Sequence, residues 1–152
     1  SDDGSMLYFA DDEMGLLGLD LEAGKYGKLH VPETLNLAGI DGLSYWQGNL
    51  VIIQNGILPQ RVMRLALDES GTAIIDVAPL AVAQPVFDDP GFGAVREDKL
   101  YFLANSHWRM DRDLKPVTIA ITDIAVAPDL VPPDMQLYRK RAEERARKKG
   151  PD

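Results

Sequence analysis

Carboxylates and carboxamides gather at the ends of short apolar runs in this chain. Asp11-Asp12-Glu13, Gln54-Asn55 and Asn105-Ser106-His107-Trp108 each follow such a run, while Asp41 and Asp88-Asp89 each precede one. Oxygen donors of this kind suit Ca²⁺ or Mg²⁺, hard cations that prefer carboxylate and carbonyl oxygen. A divalent ion held there acts as a Lewis acid on a carbonyl and lowers the pKa of a bound water. Each group also has an ordinary structural role open to it. Asp41-Gly42 and Asp88-Asp89-Pro90 are turn formers, Asp11-Asp12-Glu13 reads as an exposed charge cluster, and Asn55-Gly56 suits a strand end with positive φ. His107 beside Trp108 reads as a rim residue as readily as a general base. Ser44 and Ser106 have no evident His/Asp partners, which argues against a serine triad. The chain has no cysteine, so disulfides, thiolate metal sites and cysteine nucleophiles are excluded.

Such residues do chemistry together only if the fold brings them together, and a repeat says how it does so. Leu7-Tyr8-Phe9-Ala10 returns 43 residues later as Leu50-Val51-Ile52-Ile53, and 50 residues after that as Leu100-Tyr101-Phe102-Leu103. Repeats at this period, each built of several short strands, are how a β-propeller is written. The strand signals are Met6–Ala10, Gly15–Leu21, Tyr26–Val31, Leu43–Trp46, Asn49–Gln54, Arg61–Leu67, Thr72–Leu80, Phe92–Arg96, Lys99–Ala104 and Pro116–Ile124, bounded by turn residues. Residues 42–80 predict one complete four-stranded blade. Residues 6–31 predict a blade lacking its innermost strand, and residues 92–124 a third short of its outer strand. The fold class expected is therefore all-β, a partial β-propeller of two and a half to three blades spanning residues 1–131. In that path the loops into each innermost strand and out of the second strand share one face, so Asp41, Asn55, Asn105 and His107 would meet at the mouth of a central channel. An unclosed set of blades leaves faces and strand edges uncovered. The missing propeller half, or a second copy of the chain, is the expected partner.

Composition limits the rest. At 152 residues, 45% hydrophobic and 26% charged, the chain is long enough for one domain with a sizeable core. No apolar run approaches the roughly 20 residues needed to span a bilayer, so no membrane partner is expected. The net charge of −8 is uneven: the last fourteen residues are basic and the body before them is strongly acidic. An acidic body repels phosphates, so no nucleic-acid partner is expected either. Residues 132–152 form a tail joined through Pro132-Pro133, and residues 134–149 read as a basic helix.

At Ile40-Asp41-Gly42-Leu43 the chain resembles the Pro-Asp-Gly-hydrophobic signature of the family comprising senescence marker protein, gluconolactonase and luciferin-regenerating enzyme. Gly48-Asn49-Leu50-Val51, Gln54-Asn55-Gly56, Arg61-Val62-Met63-Arg64-Leu65, Leu7-Tyr8-Phe9-Ala10-Asp11 and Leu19-Asp20-Leu21-Glu22-Ala23-Gly24 are similar to further strands and turns of that family. The likeness covers about residues 5–104. It implies a six-bladed propeller with a divalent metal, Ca²⁺ or Zn²⁺, in the channel, and a lactone-hydrolase activity. Asp41 would be the metal ligand and acid/base. Asn55, Asn105 and His107 would line the small-molecule substrate mouth. Ile40 stands where the family has Pro, and the family's Glu and Asn ligands have no counterparts here, so the chain reads as a C-terminal half. The alternative is a non-catalytic propeller module that binds a small ligand or a protein partner on the same face.

Overall fold

The computed structural model describes residues 1–106 and 116–128. Ten strands within them make three antiparallel sheets that do not close on themselves. Sheet 1 runs β1 (Met6–Asp11), β2 (Gly15–Asp20), β3 (Lys25–Lys28). Sheet 2 runs β4 (Ile40–Trp46), β5 (Asn49–Gln54), β6 (Arg61–Leu67), β7 (Ile74–Val82). Sheet 3 runs β8 (Gly91–Arg96), β9 (Lys99–Leu103), β10 (Ile119–Asp123). The chain is all-β over these residues. The tail at 132–152 and His107 lie outside them.

Sheet 2 is the middle layer, and β5 shows why. Leu50 and Ile52 join Met63 and Leu65 in a core shared with Leu16, Leu29, Leu37 and Ile40 on the sheet 1 side. Val51 and Ile53 point the other way, into a second core with Val62, Leu80, Leu100, Phe102 and Ile124 against sheet 3. Alternate side chains leave opposite faces of a strand, so a strand covered on both faces needs apolar residues at every position. That is why Leu50–Ile53, the middle of β5, is an unbroken apolar run rather than an alternating one. Burying each such side chain contributes roughly 1.5–3 kcal/mol.

Local chemistry sets the joints. Gln47 and Gly48 both take positive φ, at 45° and 74°, and turn β4 into β5, the backbone of a two-residue hairpin matched to strand twist. Polar ties then lock layer to layer. Tyr8 Oη donates to Gly71 O at 3.0 Å, and the Tyr8 and Tyr45 rings stack at 6.1 Å. Across the other interface, Arg64 Nη1 donates to Ile124 O at 2.7 Å and Trp46 Nε1 to Glu97 O at 3.0 Å.

Several strand limits differ from the sequence expectation. β4 starts at Ile40 rather than Leu43, and β10 at Ile119 rather than Pro116. The strands expected at Tyr26–Val31 and Thr72–Leu80 are shifted for reasons the contacts show. β3 stops at Lys28 because Leu29 turns into the core between sheets 1 and 2. The next residue then bonds to sheet 2 instead: Ile74 N donates to His30 O at 2.8 Å and His30 N to Thr72 O at 2.9 Å. β7 starts at Ile74, since Asp68 Oδ1 accepts from both Thr72 N and Ala73 N in the preceding turn at 2.9 Å each.

Candidate functional site

The loops at one end of the three sheets converge on a pocket of about 410 Å³. Its wall includes Asp12 from the β1–β2 turn, Asp41 from β4, Asn55 beyond β5, Asp89 and Phe92 around the start of β8, and Ser106 beyond β9. Side chains far apart in sequence thus share one cavity because β1, β4 and β8 bring the same end of each sheet together.

Asp41 is aimed by a β-bulge. Ile40 pairs with Gln54 and Gly42 with Ile53, leaving Asp41 as the extra residue between them; a bulge of this kind re-aims the side chain it carries. Gly42 is required beside it: a Cβ there would lie 2.7 Å from Ile53 Cδ1. The loop ahead of Asp41 is held by a contact invisible in sequence. A Cβ on Gly39 would fall 2.5 Å from Gly56 Cα, and Gly39 has φ of +66°. Only glycine meets both demands cheaply. The close approach lets Gly39 O accept from Asn55 N at 3.2 Å and Gly56 N at 3.1 Å.

Gln54 anchors the same loop from below. It is fully buried, with Nε2 donating to Asn36 O at 3.0 Å and Ala38 O at 2.6 Å, and Oε1 accepting from Arg61 Nε at 2.7 Å. Every polar atom of the amide is engaged, as burial demands. Next in the chain, Asn55 Nδ2 donates to Pro90 O at 2.9 Å, tying the loop beyond β5 to the start of β8. The Asn55 side chain also lies by the Asp41 carboxylate and favours its charged form.

Asp41 has its pKa raised above the ordinary carboxylate value. Partial burial in the pocket wall is the main cause, the negative charge of Asp12 adds to it, the Asn55 side chain opposes it, and Asp89 adds a smaller push. The residue remains accessible to solvent, so the desolvation is that of a lined cavity rather than of the core. Neighbouring Asp11 differs: its Oδ1 accepts from Glu13 N at 2.9 Å and Met14 N at 2.7 Å, which lowers its pKa and spends it on the turn. Within the acidic cluster 11–13, Asp12 is the member that lines the pocket.

Of the residues picked from sequence, Asp41 and Asn55 share the pocket. Asn105 sits at the equivalent turn, but its amide is spent on the backbone: Nδ2 donates to Pro116 O at 3.2 Å and Oδ1 accepts from Thr118 N at 2.5 Å. Ser106 beside it reaches the pocket, its N–H donating to Asp88 O at 3.2 Å and Asp89 O at 3.3 Å. Sequence reading missed Gly39 and Phe92, and it placed Gln54 among the exposed loop donors where the structure buries it beneath the pocket. Phe92 is a bulged residue between the Gly91 and Gly93 pairings, with φ of 45°, a strained conformation for a side chain of its size. No local signal in the sequence marks it.

The donor chemistry suits a hard cation only in part. Asp41 and the oxygen of Asn55 are suitable ligands, and Asp12 and Asp89 supply negative potential. Among the described residues, no three of His, Cys, Asp and Glu are grouped to hold a metal ion. Comparison with known proteins returned no match among family models, curated proteins or solved structures.

Proposed function

We propose that the three sheets are blades of a partial β-propeller of the gluconolactonase type, and that the pocket around Asp41 binds a small lactone for hydrolysis once the missing blades complete the site. The observation that carries this reading is the meeting of Asp12, Asp41, Asn55, Asp89 and Ser106 in one cavity at one end of the sheets. Asp41 has the environment of a proton-handling group, because its raised pKa brings it nearer the working pH of a general base. In hydrolysis Asp41 accepts a proton from the attacking water while the water oxygen bonds to the lactone carbonyl carbon. The ring C–O bond then breaks, the proton passes to the leaving alkoxide, and an open-chain hydroxy acid results. Asn55 orients the carboxylate throughout. Asp41 would hold a divalent cation, Ca²⁺ or Zn²⁺, which when bound polarises the carbonyl.

Calorimetric titration of Ca²⁺ and Zn²⁺ into the chain and its Asp41→Asn variant tests this, alongside hydrolysis of a sugar lactone followed by base uptake. Loss of one charged ligand should weaken metal binding by about tenfold or more. Equal affinity in the two proteins would remove Asp41 from the site. A second reading, a non-catalytic binding pocket, is favoured by one observation: the metal-ligand set is incomplete among the described residues. Unchanged lactone binding in a chelator, with no turnover, would select it.

A further inference from the structure

The register of the three sheets assigns each sheet two different faces. The first and third residues of the repeated phrase face the preceding sheet, and the second and fourth face the following one. In sheet 2 these are Leu50 and Ile52 toward sheet 1, and Val51 and Ile53 toward sheet 3. Sheet 3 repeats the rule, with Leu100 and Phe102 buried against sheet 2, and sheet 1 does so with Tyr8 and Ala10 packed toward sheet 2. Among the described residues two faces, one of each kind, are then left over. On sheet 1 the row Leu7–Leu19–Tyr26 and the row through Phe9 and the buried Leu17 point away from sheet 2. On sheet 3 the rows Tyr101–Ile121 and Leu103–Ile119 point away from sheet 2. Leu7 is 52% exposed and Ile119 65%, whereas Leu50 and Ile52, the sheet 2 counterparts of Leu7 and Phe9, are 0% exposed.

We propose that these two end faces pair with each other between two copies of the chain, head to tail, the sheet 3 face of one copy against the sheet 1 face of the other. The warrant is continuity with interfaces the chain already makes. A face of the sheet 3 kind covers a face of the sheet 1 kind twice within each copy, at the 1–2 and 2–3 boundaries. Leu7, Phe9, Tyr26, Ile119 and Ile121 are exposed apolar side chains on these two faces, and apolar surface gathered on one face in water favours association. One chain carries both halves of the contact, so a second copy suffices. In the proposed pair the two head-to-tail contacts are related by a two-fold axis and so close it, where any other rotation would give a larger ring or an open filament. The inference stands on sheet register and is independent of the lactone reading of Asp41.

Sedimentation equilibrium of the full chain at micromolar concentration should show a dimer. Phe9→Lys and Ile121→Lys, both at exposed apolar positions, should each give a monomer with an unchanged far-ultraviolet circular dichroism spectrum. Mixing the two variants should restore the dimer, since one sound sheet 1 face and one sound sheet 3 face survive between them. A monomeric wild-type chain would overturn the proposal, as would open-ended polymers. A mixture of the two variants that stays monomeric would also overturn it, as would a dimer that survives in either variant alone, which is what a like-with-like contact through one face gives.

Discussion

Gln54 and Arg61 face each other across the β5–β6 ladder, and Arg61 Nε donates to Gln54 Oε1 at 2.7 Å. This pair lies beneath the loop that delivers Asp41, because the other end of the Gln54 amide holds Asn36 O and Ala38 O. The pocket's geometry is therefore set from the core outward.

Replacing Gln54 with Ala strips partners from two carbonyls and a guanidinium in a fully buried position. The cost expected is about 2–4 kcal/mol, more than one ordinary hydrogen bond, since unsatisfied groups remain behind. Urea unfolding curves should show a lower midpoint with an unchanged slope.

Gly39→Ala should be destabilising by about 2 kcal/mol or more, because the residue sits at positive φ and its new methyl would collide with the Gly56 backbone. Ligand binding in the Asp41 pocket should fall with it, measured by the same calorimetry. Gly24→Ala is the matched control: φ is +62° there but no atom lies within 4 Å of the added Cβ, so it carries the backbone penalty without the collision and should cost less.

Asp41→Asn should raise stability at neutral pH. The folded pKa of Asp41 lies above the unfolded one, so the folded state holds the proton more tightly and its charged form is disfavoured. The penalty is present at high pH and disappears as pH falls through the raised value. Urea midpoints of variant and wild type should therefore differ at about pH 8 and converge near pH 3, below the ordinary Asp pKa of about 3.9. A constant gap across that range would count against a raised pKa.

Asp68 should behave oppositely. Ser70 Oγ donates to it at 2.6 Å and the Thr72 and Ala73 amides at 2.9 Å each, and together they hold its pKa below the ordinary value. Its contribution is present above the unfolded pKa and is lost as pH falls toward the lower folded one. Asp68→Ala should lower the thermal midpoint at pH 7 and matter progressively less in acid.

Much of this architecture is legible in the residues themselves. Asn49–Gln54 and Arg61–Leu67 are readable to the residue, since apolar runs end at polar or turn-forming neighbours and those neighbours do end the strands. The grouping of three, four and three strands follows from the spacing of the repeated phrase. Boundaries fail where a tertiary contact decides them: Tyr26–Val31 looks like one strand, yet Leu29 is drawn into the core and breaks it. The site divides in the same way. Asp41 and Asn55 stand out as polar residues at matching turns. Gln54 looks like the start of a turn and proves to be buried, because the loop that needs its amide lies 16 and 18 residues away at Ala38 and Asn36. Gly39 carries no sign of Gly56, and Asn105 is indistinguishable in sequence from Asn55 although its amide serves a strand start.

The two-faced construction of each sheet also bears on how chains of this kind vary in length. A preceding face and a following face recur at the same positions in every sheet, so gain or loss of one whole unit leaves each surviving boundary with its chemistry intact. Gain or loss of a single strand would turn a covered row outward. The length that can be added or removed without exposing a covered row is thus one sheet, the 43 to 50 residues that separate one Leu-led phrase from the next.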